Sequence, residues 1–249
     1  MNSNLVATQQ RIAGYATPIR AVAGNLPIAA SAAVKVTRAL IRWGPSNQLA
    51  PYEVGNWGGR IPAGGPPQLR SFDRPAREGN DPFGFTRTTN ELGRWVRSTF
   101  ATRQVDDAIG QLDYDEEHAM SLSNTHPYRL DHTDEIAGLA ISHGAGNCGY
   151  IASTAFSLLR HAGVAPIDLI LILPHSGPRA FRNHTVAVLG IPDVRGNQKV
   201  PPFEQWADTA VLADAWVDEQ GVPAALLAER WPRDTYGYYS YCRVRPPGA

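Results

Sequence analysis

Cys148 follows the glycine-rich stretch Gly144-Ala145-Gly146-Asn147 and leads into residues 151–161, which recur like a helix. At helical spacing it shares a face with Ala152, Ala155 and Leu159, beside Ile151 and Leu158. That face is apolar and reads as buried, so the thiol falls in the first turn of a core helix. Helix N–H groups that lack partners and the positive end of the dipole gather there and favour thiolate over thiol. The glycines let backbone crowd around the sulfur, so a substrate carbonyl would meet N–H donors as it approached. An ordinary buried cysteine has the same local look. The thiol therefore needs partners before it reads as a nucleophile.

Two downstream stretches supply candidates. Asn183-His184-Thr185-Val186-Ala187-Val188-Leu189 reads as a strand with His184, Val186 and Val188 on one face. Residues 211–217 read as another, with Leu212, Asp214 and Trp216 on one face. Each strand carries one polar residue on an otherwise apolar face, and burying either alone would cost several kcal/mol. The economical solution is that Asp214 holds His184 and His184 faces Cys148. These are the nucleophile, base and orienting group of thiol catalysis, in chain order Cys, His, Asp. His175, next to Ser176-Gly177-Pro178, is the competing base, but its setting is that of a turn.

Over residues 144–216 this arrangement resembles the transglutaminase-like branch of the papain-like cysteine enzymes. Cys148 after a Gly-rich turn matches the nucleophile, His184 in "NHTVAV" the base, and Asp214 before the aromatic in "LADAWV" the aspartate. The "GNCG" form is similar to that of several type III effectors of plant-pathogenic bacteria. The family often places an acidic residue or glutamine near the Cys-Gly pair, whereas here Tyr150 follows it. The oxyanion donors are therefore sought in Asn147 and in the N–H groups of Cys148 and Gly149, with Trp216 as a substrate contact.

The resemblance implies an α+β fold, an antiparallel sheet with the nucleophile helix packed on it. It also implies attack on an amide carbonyl of a protein substrate, such as a host protein, with no metal or organic cofactor. Passing the acyl group to water gives a protease or glutamine deamidase; passing it to an amine gives a transglutaminase. An arylamine N-acetyltransferase-like enzyme shares the Cys-His-Asp set but predicts Arg-Gly-Gly before the cysteine, and "GAGNC" has no arginine. A non-catalytic binding module on the same fold is the remaining alternative.

Composition narrows the setting. The 249 residues suit one ordinary domain with an extension, and 43% hydrophobic content is enough for a core. With 23 basic and 23 acidic residues the net charge is zero, so nothing in the total argues for a nucleic-acid partner. No run of about 18 apolar residues occurs, which excludes an ordinary membrane-crossing helix. Cys148 and Cys242 make no disulfide framework and point to a reducing compartment. Nothing in the sequence sets the oligomeric state.

The chain divides by composition into residues 1–52, a leader or extension; 53–87, a Gly/Pro-rich linker or wrapping loop; and 88–249, the catalytic domain. The first part carries Arg11, Arg20, Lys35, Arg38 and Arg42 but no acid before Glu53. Acid-poor, Ser-rich leaders resemble type III secretion leaders, so the expectation is export by a dedicated bacterial system, with a cytoplasmic protein as the alternative. On this reading residues 1–27 add little to the core, and residues 31–43 form a helix docked at the surface. Residues 44–82 read as irregular and residues 88–112 as helical. Residues 113–118, "DYDEEH", read as a solvated patch, and His126 and His132 as surface residues or supports behind a site.

The remainder follows local pattern. Residues 134–142 read as a short helix and 167–173 as an apolar strand. The insert at 190–210 reads as an exposed hairpin loop, 222–231 as a last helix and 235–244 as a terminal strand with Cys242 in a structural place. Asp218 could also orient His184 in place of Asp214, but near Gly221 and Pro223 it reads as a turn residue.

Overall fold

Helix ends in this chain are set by a few residues. Asn25 caps the helix Leu26–Leu40 (α3) by accepting from Ile28 N–H at 3.2 Å. Gly144, at φ +64°, stops the helix Leu130–His143 (α4) in the left-handed conformation that glycine takes without strain. Gly163, at φ +81°, ends Cys148–His161 (α5) in the same way, with Val164 N–H donating back to Leu159 O at 3.0 Å. Two further helices, Ser3–Tyr15 (α1) and Thr17–Arg20 (α2), precede α3, and Leu226–Arg230 (α6) lies near the end.

These elements come from a computed structural model, which describes residues 3–41, 43–44, 96–97, 130–144, 146, 148–175, 184–192, 200–216, 218 and 220–246. Expectations for most of 45–129, including the acidic patch and His126, and for Asn147 lie outside these residues.

A five-stranded antiparallel sheet runs in the order β6-β5-β4-β3-β7, formed by Ile167–Pro174 (β3), His184–Leu189 (β4), Val211–Ala213 (β5), Val222–Pro223 (β6) and Tyr236–Val244 (β7). All six residues of β4 are buried, so the strand is covered on both faces. Helix α5 lies against β3 and β4, while α4, α1 and α3 surround α5. The fold is thus α+β, with the cysteine helix packed on an antiparallel sheet. A separate short parallel pair joins Trp43–Gly44 (β1) to Val96–Arg97 (β2). Where residues 88–112 are described, they are therefore strand and not helix. Among the described residues no helix is long and apolar enough to cross a membrane.

The N-terminal reading needs correction. Ile12, Ala16, Ile19, Ala29, Ala30, Ala33, Val34 and Ile41 are fully buried in the one core that also holds Cys148. Three of the basic residues there make contacts within the fold. Arg11 donates to Gly138 O and Ser142 Oγ on α4, Arg20 to the His161 carbonyl at the end of α5, and Arg38 to Asp218 O. A cation at the last carbonyls of a helix complements its dipole. Residues 3–41 are therefore part of the packed domain, and a break after residue 52 does not separate them from the core.

Other differences trace to long-range burial. Asp168 interrupts the apolar strand β3, fully buried, and accepts from Ser240 Oγ (2.7 Å), Arg243 Nε (2.7 Å) and Arg245 Nη1 (2.9 Å). A buried carboxylate held by several donors is satisfied. The helix at 134–142 begins earlier, at Leu130, which buries His132 rather than leaving it at the surface. In that helix Asp134 is bound by Arg160 and by His161 Nε2 (2.9 Å), clamping α4 to the end of α5. Within the expected exposed loop at 190–210, Trp206 is fully buried, with its Nε1–H on Pro201 O. Residues 222–231 are not one helix: Val222–Pro223 pairs with β5, and only Leu226–Arg230 is helical. Cys242 is buried on β7, and that burial pushes its thiol up to about 11.

Candidate active site

Three elements bring Cys148, His184 and Asp214 together. Cys148 is the first residue of α5, His184 the first of β4, and Asp214 the residue that follows β5. Strand β5 pairs with β4, so Asp214 leaves the sheet beside the strand that carries His184. The strand predicted over 211–217 stops at Ala213, and Ala215 and Trp216 turn away. That turn does what alternation alone would not. It brings Trp216 N–H back to Asp214 Oδ1 at 3.2 Å, while Oδ2 accepts from His184 Nε2 at 2.8 Å. Both carboxylate oxygens are therefore engaged.

All three residues are nearly buried, with 6% of Cys148, 1% of His184 and 2% of Asp214 exposed, backbone included. Burial alone would push the imidazole pKa down. The charge and hydrogen bond of Asp214, with a smaller contribution from the Cys148 side chain, outweigh it and raise the pKa from 6.5 to about 9. Nδ1 of His184 makes no hydrogen bond of ordinary geometry, although Cys148 is near enough to act on the ring.

The flat faces of the imidazole are also occupied. Trp216 lies on one side, centroids 4.6 Å apart and planes tilted by 38°. Trp231 is stacked on the ring at 4.4 Å with planes 8° apart. Trp231 escaped the sequence reading, because nothing in its own neighbourhood connects it to His184; only the closing of the sheet does. Asp218 is seen in the sequence, but its contacts are not. It is half-buried rather than a loose turn residue, gripping Arg230 through two bonds of 2.6 and 2.7 Å, and its N–H donates to Asp214 O at 2.8 Å. Burial pushes its carboxyl up, Arg230 pulls it down, and the Asp214 charge adds to the net rise.

Of the oxyanion candidates, Gly149 is the second residue of α5, half-buried in the turn whose N–H groups fall outside the i→i−4 pattern. The other base considered, His175, is exposed past the end of β3, with Nε2 2.9 Å from Arg233 O. Since Ile172 is the register partner of His184, His175 lies beyond the triad along the strand. Among the described residues no group of three or more His, Cys, Asp or Glu side chains is placed to hold a metal ion. No known protein family, curated protein or solved structure matches this chain.

Proposed function

We propose that this protein is a cysteine-nucleophile enzyme with a papain-like, transglutaminase-like core, acting on an amide carbonyl of a protein substrate. The observation that carries the reading is His184 bonded through Nε2 to buried Asp214, with a cysteine that opens a core helix near enough to act on the ring. Cys148 Sγ passes its proton to His184, whose raised pKa of about 9 holds it in the resting ion pair, and the thiolate attacks the carbonyl carbon. The developing oxyanion falls at the N-terminal end of α5, where the helix dipole favours negative charge. His184 then protonates the leaving amine, and an acyl-thioester remains on Cys148. Water releases an acid, as in a protease or glutamine deamidase; an amine releases a new amide, as in a transglutaminase. Two reduced, buried cysteines suit work in a reducing compartment, such as a host cytoplasm reached by a secreted bacterial effector.

Near-complete burial of all three residues favours a second reading, a binding module on the same fold whose cysteine is inert. Iodoacetamide at pH 6 separates the two. The enzyme reading expects fast labelling of Cys148, none of Cys242, and loss of labelling in His184→Ala. Slow labelling of Cys148 that His184→Ala leaves unchanged selects the module.

A further inference from the structure

We propose that Trp231 is the positioning residue of His184. Its indole, fastened by the Arg230–Asp218 ion pair to the turn that carries Asp214, holds the imidazole plane so that Nε2 stays on Asp214 and the ring stays near Cys148. The assignment rests on the thiol-enzyme reading for its consequence, but its geometry stands apart from it.

The imidazole has two edges and two faces. Asp214 takes the Nε2 edge at 2.8 Å, and Cys148 is near enough to act on the ring. Trp216 leans over one face at 38°, and a tilted neighbour leaves room for the ring to rock. Trp231 is stacked nearly parallel to the ring, at 8° and 4.4 Å, so rotation of the imidazole about χ2 drives a ring edge into the indole face. The same face attracts a protonated imidazole, which stabilises the ring once it has taken the thiol proton.

Trp231 is itself tied down on three sides. Its N–H donates to Leu227 O at 2.7 Å, its carbonyl accepts from Tyr238 Oη at 2.7 Å, and the residue is 2% exposed. Its neighbour Arg230 holds Asp218 with two bonds, and Asp218 N–H holds Asp214 O. Arg38, from α3, donates to Asp218 O at 2.7 Å. One chain of contacts thus runs from Trp231 through Arg230 and Asp218 to Asp214, closing around the imidazole from the two sides that must stay in register. Merely filling the core would not require a link to the aspartate that orients the same ring.

The test follows exchange of the His184 Nε2 proton in histidine-labelled protein, beside iodoacetamide labelling of Cys148 at pH 6. A proton held by a buried carboxylate exchanges only when the contact opens. In Trp231→Leu exchange should speed up, and labelling slow down, each by about tenfold or more. Trp231→Phe, which restores a flat aromatic face, should recover most of both. A Trp231→Leu protein with a lower melting temperature but wild-type exchange and labelling overturns the proposal, because the indole then only fills space. If that variant does not fold, the neutral double variant Asp218→Asn with Arg230→Gln decides: faster exchange sustains the proposal, and wild-type exchange overturns it. A wild-type protein with a protected Nε2 proton and an inert Cys148 would remove the enzyme reading alone, and the exchange data would still decide the role of Trp231.

Discussion

His184 Nε2 and Asp214 Oδ2 stand 2.8 Å apart although 30 residues separate them, and each side chain is 1% exposed. A charge-assisted bond in so dry a setting is strong, and losing one partner leaves the other buried without its complement. That bond ties the end of β5 to the start of β4, and the consequences below depend on it.

Cys148→Ala should abolish turnover and labelling while leaving the fold intact, since it removes one sulfur from a helix that keeps its other contacts. His184→Gln, which retains volume between the two indoles, should also abolish turnover. Activity on candidate glutamine-containing peptides, read beside circular dichroism melts, checks both. Residual turnover in Cys148→Ala would place the chemistry elsewhere.

Asp214→Asn should lower the His184 pKa from about 9, because the Asp214 charge is what overcomes the cost of burial. The imidazole then loses its fixed tautomer, and the rate should fall by up to about 10⁴-fold, as in triads generally. Asp218→Asn leaves a half-buried Arg230 with one good acceptor fewer and should cost about 2 kcal/mol of stability. The His184 pKa and urea denaturation, measured in the two variants side by side, separate loss of the Asp214 charge, which lowers the pKa, from loss of the Arg230 ion pair, which lowers stability.

Stability should depend on alkaline pH through His184. Its folded pKa, about 9, lies above the 6.5 of the unfolded chain. The folded state therefore binds the proton more tightly, and this stabilisation is complete below about pH 6.5 and lost as pH rises through 9. The change is on the order of 3 kcal/mol, from 1.36 kcal/mol per pH unit. Urea midpoints at pH 6.5, 8 and 9.5 should fall in the wild type and much less in His184→Gln. At the acid end Asp134 acts with opposite sign. Burial pushes its carboxyl up, but the hydrogen bond from His161 and the charge of Arg160 hold it below the usual 3.8. Its contribution is present above that value and is lost as pH falls through the lowered one.

Removal of residues 1–27 should unfold the protein. The deletion takes Ile12, Ala16 and Ile19 out of the core and the Asn25 cap off α3. Truncating one buried isoleucine to alanine costs about 2–5 kcal/mol, and a whole domain is stable by only about 5–15 kcal/mol. A cooperative melt in the truncated protein, within a few degrees of the full chain, would contradict this. Ile12→Ala provides the graded version, with a loss in the same 2–5 kcal/mol range (roughly) by urea denaturation.

What the sequence by itself determined is local. A glycine turn before a periodic apolar run is enough to open a helix at Cys148, and period-two alternation is enough to mark His184 as the head of a strand. One polar residue on each of two apolar faces demands a partner, so the pairing of His184 with Asp214 was legible without coordinates. The tertiary structure decided the rest, because burial is a property of what closes over a residue and not of its neighbours in the chain. The alanine-rich, acid-poor N-terminus carries the composition of a leader, yet its small side chains pack against the cysteine helix once α4 and α5 present a surface. Asp168 breaks an apolar strand and is satisfied only because Ser240, Arg243 and Arg245 arrive from the far end of the chain. Trp231 meets His184 only after β5, β6 and α6 have turned the chain back, so its place against the imidazole depends on sheet closure, which no local pattern records.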